Sequence, residues 1–157
     1  MADAGQSANI HASCVAIGRS GVLLLGKSGS GKSDLALRLI DDGAVLVADD
    51  RTILSVEKGA LYARAPASIA GLMEVRGLGI IRFPRRAKVR IALAVQLGRE
   101  GARLPGPRFY RPPARLKPQI PVPEILLEAW PAATPAKIRA ALAAFARDLF
   151  RDTFNPK

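Results

Sequence analysis

The stretch Val22-Leu23-Leu24-Leu25-Gly26-Lys27-Ser28-Gly29-Ser30-Gly31-Lys32-Ser33-Asp34 decides how this chain folds. Its four consecutive aliphatic residues predict a strand buried on both faces. Leu35, Ala36, Leu39 and Ile40 then recur on one side of a helix that Gly43 stops. Between strand and helix, residues 26–33 match the pattern Gly-x-x-x-x-Gly-Lys-Ser/Thr. The pattern has a mechanism: glycines let backbone N–H groups turn inward around phosphate oxygens, Lys32 reaches the terminal phosphates, and the Ser33 hydroxyl ligates Mg²⁺. From ordinary residue frequencies a chance match in such a chain is roughly a 1% event. The competing reading is a plain glycine-rich turn opening a helix. Nucleoside triphosphate binding by Gly26, Lys27, Ser28, Gly29, Ser30, Gly31, Lys32 and Ser33 is the stronger inference.

Working outward, residues 12–17 and 22–25 read as a hairpin around Gly18-Arg19-Ser20-Gly21. Residues 44–48 form a short apolar strand ending on Asp49-Asp50, and residues 52–56 and 61–64 form a second hairpin around Glu57-Lys58-Gly59. Adjacent residues leaving a strand point to opposite sides, so the two carboxylates cannot share one job. Asp49 is assigned to the Mg²⁺ shell and Asp50 to the general base on an acceptor hydroxyl, with the reverse order left open. The competing reading is a solvated turn before Arg51. Residues 71–81 are too glycine-rich for a regular helix and too apolar for a solvated loop. Within them Glu74, the only acid between Lys58 and Glu100, is either a second Mg²⁺ ligand or an ion-pair partner of Arg76. Residues 89–97 are a strand candidate. Residues 98–123, with seven prolines and five arginines, predict a long surface excursion. Thr134 is expected to cap a helix with Pro135 at its first turn and an apolar stripe of Ile138, Leu142, Phe145 and Leu149.

The chain of 157 residues fits one domain: a flexible N-terminus over 1–9 and a single catalytic domain over 10–157. Cys14 is the only cysteine, so no internal disulfide forms, and it reads as a small buried hydrophobe. No apolar run is long enough to span a membrane, and the expectation is a cytoplasmic protein that does not engage membranes. The formal charge of +11 invites nucleic acid as a partner. Its placement argues otherwise: residues 1–75 are slightly acidic, whereas 76–117 hold 12 basic residues against Glu100 alone. That segment matches no nucleic-acid motif, so it is read as a basic rim that attracts an acidic protein face. His11 is the sole histidine; on composition it is an ordinary residue at a strand start.

Four motifs in this order, His11-Ala12-Ser13-Cys14, Gly26 to Asp34, Val47-Ala48-Asp49-Asp50-Arg51 and Met73-Glu74-Val75-Arg76-Gly77-Leu78-Gly79-Ile80-Ile81, resemble the catalytic domain of the bacterial HPr kinase/phosphorylase family, in its short alphaproteobacterial form. The resemblance implies an α/β P-loop domain with a mixed sheet, related to phosphoenolpyruvate carboxykinase. It also implies an enzyme that uses ATP and Mg²⁺ to phosphorylate a serine of an HPr-type phosphocarrier of the phosphotransferase system. By position, His11 and Lys32 would sit at the transferred phosphoryl group, Ser33 and Glu74 would hold Mg²⁺, Asp50 would be the base, and Arg103 would match a later catalytic arginine. A homo-oligomer, a hexamer in the family, is implied as well. Two departures count against the reverse, phosphorylase reaction: Arg82 stands where the signature usually continues with an acid, and residues 123–128 replace a Gly-Arg-Asn segment tied to dephosphorylation. The alternative is a non-catalytic module that senses ATP or phosphate.

Overall fold

The computed structural model describes residues 6–151. In chain order it contains β1 (Ser7–Ile17), β2 (Ser20–Leu25), α1 (Lys32–Asp41), β3 (Val45–Ala48), β4 (Arg51–Glu57) and β5 (Ala60–Arg64). A 3₁₀ turn (Ala67–Ile69) precedes β6 (Leu72–Val75), β7 (Gly79–Arg82), β8 (Val89–Leu97), β9 (Glu124–Leu127) and α2 (Thr134–Arg147).

The long strand β1 organises the sheet. One edge pairs antiparallel with β2 through a tight turn at Gly18, whose φ of 60° suits glycine. Its other edge is shared: Ser7 to His11 pair with β4, and Cys14 to Ala16 pair with β3. β3 and β4 thus lie end to end along β1, and Asp49-Asp50 is the link between them. β2 continues the sheet as a parallel neighbour of β8. β8 is then flanked at its start by antiparallel β5 and at its end by parallel β9. Because β4 and β5 are themselves a hairpin, β1, β4, β5, β8 and β2 close on one another into a ring. The sheet is mixed, as the resemblance implied.

The period of two along β2 explains why it reads as an unbroken apolar run. Val22 and Leu24 face one core with Leu35 and Leu39 of α1 and Ile138 of α2, while Leu23 faces a second core inside the curled sheet with Cys14, Leu54, Leu61 and Ile91. All three β2 side chains are fully buried, and truncating one to alanine costs about 2–5 kcal/mol. Cys14 is fully buried, and burial pushes its thiol far above the ordinary range.

Several expectations change. Residues 7–9 are not frayed: Ser7, Ala8 and Asn9 pair with Ser55, Leu54 and Ile53, and Ala8 is buried. Residues 1–5 and 152–157 lie outside the described residues. Residues 71–81 fold as the β6–β7 hairpin, in which the turn at Gly77 (φ 86°) leaves Leu78 and Ile80 exposed while Met73 is buried against α1. Residues 124–127 form a strand, because β8 offers them a free parallel edge. Thr134 does not cap α2. Ala133 takes that position without a side-chain bond, and Thr134 Oγ1 instead donates 2.7 Å to the Glu128 carbonyl. The apolar stripe of α2 is buried at Ile138 and ends before Leu149, which lies exposed beyond the helix.

Candidate active site

The glycine loop joins the buried end of β2 to the first turn of α1. Gly29 (φ 83°) and Gly31 (φ 95°) occupy the left-handed region that other residues enter at a cost. No side chain caps α1, and its first backbone hydrogen bond runs from Leu35 N to Gly31 O at 2.9 Å. The preceding N–H groups therefore face the loop with the positive end of the helix dipole behind them. Lys32 folds back across the loop, its Nζ donating 2.7 Å to Gly26 O and 3.0 Å to Lys27 O. Burial lowers its pKa from the ordinary lysine value, and the carboxylates of Asp50 and Asp49 oppose that shift. Ser30 Oγ is buried without a hydrogen-bond partner. An orphaned hydroxyl, an inward ammonium and a run of free N–H donors in one glycine-shaped cradle fit a polyphosphate.

Behind the loop stands the link between β3 and β4. Asp49 is buried and its Oδ1 accepts from Ser33 Oγ at 2.7 Å and from Ser13 Oγ at 3.0 Å. The Ser13 hydroxyl also accepts from Asp50 N at 3.1 Å, so one β1 side chain pins both acids. Arg51 N donates 2.7 Å to Asp49 O, closing a tight turn around Asp50, whose φ of 66° is unusual for a non-glycine residue. Such a conformation costs on the order of 1–3 kcal/mol and persists only where neighbours over-determine it. The turn sends the two carboxylates apart: Asp49 inward to Ser33, Asp50 outward with its side chain 66% exposed. His11 Nε2 lies 2.7 Å from Asp50 Oδ1 and donates to the carboxylate.

The structure therefore brings together Lys32, Ser33, Asp49, Asp50 and His11. A hydroxyl and a carboxylate oxygen sharing one bond, Ser33 with Asp49, are the hard oxygen donors that Mg²⁺ takes. Glu74 is exposed on β6, and it forms no ion pair with Arg76 among the described residues. No group of three or more His, Cys, Asp or Glu is gathered for a metal among the described residues. Arg103 is exposed in the irregular segment after β8. Sequence reasoning missed Ser13: a serine inside an apolar strand carries no signal until β3 and β4 are known to meet opposite it.

The basic segment is partly spent on tethers. Arg86 donates to Gly18 O, Lys88 pairs with Glu57 at 2.8 Å, Arg108 pairs with Glu124 at 2.5 Å, and Arg115 donates 2.9 Å to Ser7 O. Among the described residues no helix is long and apolar enough to cross a membrane.

The family model described as HPr Serine kinase C-terminal domain matches residues 3–98, more than half of the chain. The HPr kinase/phosphorylase of Aromatoleum aromaticum is 41% identical over 114 residues, covering 68% of this chain and 34% of that protein. The HPr kinase/phosphorylase of Malacoplasma penetrans is 42% identical over 76 residues, covering 48% of this chain and 25% of its own. The chain thus spans about a quarter to a third of the length of these curated relatives. Among solved structures, the Hpr(Ser) kinase/phosphatase from Coxiella burnetii superposes with a TM-score of 0.73 at 27% identity, over 90% of this chain and 92% of that one. The residues matched by the family model take in β1 to β8, the phosphate loop at the end of β2 and the paired acids opposite Ser13, and the chain belongs to the family of the HPr serine kinase C-terminal domain.

Proposed function

We propose that this domain transfers the γ-phosphoryl group of ATP to a seryl hydroxyl of an HPr-type phosphocarrier protein. The observation that carries the reading is the division of labour at the β3–β4 link. One carboxylate is buried on the Ser33 hydroxyl behind the phosphate loop, and its neighbour is exposed and held by His11.

The loop residues 26–33 bind the phosphates through backbone N–H groups, and Lys32 compensates the charge that develops on the transferred group. Ser33 and Asp49 would hold Mg²⁺, which when bound supplies further positive charge at the phosphate oxygens. Asp50 takes the proton of the attacking serine, and His11 orients the carboxylate while standing beside the transferred group. Glu74 as a further metal ligand and Arg103 as a catalytic group enter on the resemblance alone. Homologous enzymes carry the name kinase/phosphorylase; for this chain the forward direction is proposed. A homo-oligomer, a hexamer by resemblance, is the proposed assembly.

The test is transfer of ³²P from labelled ATP, with Mg²⁺, to each HPr-type carrier of the host, with the modified residue located by mass spectrometry. Wild-type protein labels a serine, and Lys32→Ala and Asp50→Asn each lower the rate at least 100-fold with the circular dichroism spectrum unchanged. Substantial transfer by Asp50→Asn would remove that residue from the role of base. ATP binding with no labelled product from any carrier would favour a sensor that binds nucleotide without transferring phosphate.

A further inference from the structure

Trp130 is the only tryptophan of the chain and stands 63% exposed, although the backbone on both sides of it is held in place. The guanidinium of Arg38, on α1, donates to the carbonyls of both neighbours, Ala129 O and, at 3.4 Å, Pro131 O. Asp34 holds the same guanidinium at 2.9 Å. On the far side Thr134 Oγ1 is bonded to Glu128 O at 2.7 Å, and Thr134 N to Pro131 O at 3.1 Å. Since α1 begins at the phosphate loop, Arg38 ties the turn carrying Trp130 to the same rigid element that presents the loop. Ala129 is buried against Gly31: a Cβ at Gly31 would stand 2.6 Å from Ala129 Cβ and 3.1 Å from Cζ2 and Cη2 of the indole. The benzo edge of the ring therefore lies on the phosphate loop itself, with most of the indole surface open to solvent.

A large aromatic ring left in water on a fixed backbone is a preorganised contact surface, because little conformational entropy remains to be lost when a partner covers it. Its seat on Gly31 identifies the partner. A nucleoside triphosphate gripped by residues 26–33 has phosphates and a sugar that are polar on every side. Only its base offers a flat apolar face.

We propose that Trp130 is the base platform of the nucleotide site: the purine ring stacks on the exposed indole while the phosphates occupy the loop. Arg38 is a positioning residue that fixes the platform at a set distance from the loop. The inference rests on the reading of residues 26–33 as a nucleoside triphosphate site.

The experiment uses the full chain, calorimetry and the emission of its one tryptophan, with Mg-ATP and inorganic tripolyphosphate as ligands. ATP changes the emission saturably, whereas tripolyphosphate binds and displaces ATP with a much smaller change. Trp130→Ala weakens ATP about 5- to 150-fold, the range for one base stacked on an aromatic side chain, and leaves tripolyphosphate affinity unaltered. Trp130→Phe restores most of the loss. Arg38→Ala weakens ATP more than tripolyphosphate. Wild-type affinity for ATP in Trp130→Ala overturns the proposal, and a raised KM for the carrier protein in that variant would assign the ring to protein docking instead. Equal loss of both ligands would make Trp130 merely structural. If neither ligand binds the wild-type chain, the reading of the loop itself fails, and the platform with it.

Discussion

Two stretches with three glycines each, the polar residues 26–33 and the apolar residues 71–81, take opposite structural roles. The first is strung between β2 and α1, both deep in the core, and its Lys32 is turned inward onto two loop carbonyls. The second is the β6–β7 hairpin, which buries Met73 and leaves Leu78 and Ile80 more than 70% exposed. Both contain glycines at positive φ. Glycine permits such backbone in either place; the anchoring of the flanks decides whether the N–H groups are held as a rigid cradle or shared between two strands at the surface.

The largest effect that breaks this comparison is expected at Gly31. Gly31→Val combines a forbidden backbone conformation with a Cβ 2.6 Å from Ala129, so ATP affinity should fall by at least 100-fold, measured by calorimetry. In the hairpin, Gly77→Ala meets nothing within 4 Å and should cost only about 1–2 kcal/mol, read from urea unfolding. Equal losses of ATP affinity in both variants would erase the distinction. Next comes the support behind the loop. Asp49→Ala removes the acceptor shared by Ser33 and Ser13 and should destabilise by about 2 kcal/mol, with loss of any Mg²⁺ dependence of ATP binding.

The pH dependence sharpens the same contrast. Lys32 has its pKa lowered by burial, so its ammonium loses its proton at a lower pH than an ordinary lysine. The charged form binds phosphate, so ATP affinity should hold on the acid side of that pKa. It should fall as pH rises through it, below the ordinary lysine range of about 10.4. Lys32→Arg, permanently charged, should flatten that limb. The smallest effect is at the hairpin tip: Leu78→Ser and Ile80→Ser lose little burial and should shift stability by no more than about 0.5 kcal/mol, with ATP affinity unchanged.

Legibility in the sequence follows the range of the interaction. β2, α1, β8 and the β4–β5 hairpin announce themselves through contiguous patterns, and they fold within a residue or two of the expected bounds. β9 did not, because four residues after a proline-rich stretch become a strand only when β8 offers an edge. Residues 7–9 read as a polar tail, yet β4 supplies their ladder. Thr134 carries the chemistry of a cap but finds the Glu128 carbonyl nearer to hand.

The site divides the same way. By itself the sequence determined that a phosphate-binding loop joins a buried strand to a helix, because the glycines set the local backbone and Lys32 bonds to carbonyls of the same loop. It also placed an acid pair at the end of the next strand and required the two to diverge. Only the tertiary structure decided which acid is buried on Ser33 and which stands exposed beside His11. Ser13 lies 36 positions before Asp49, His11 lies 39 before Asp50, and Arg38 reaches over 91 positions to Ala129. No local pattern encodes those meetings. They exist because β1 is long enough to take β3 and β4 in succession on one edge, and because α1 and the turn before α2 pack on the same face of the sheet.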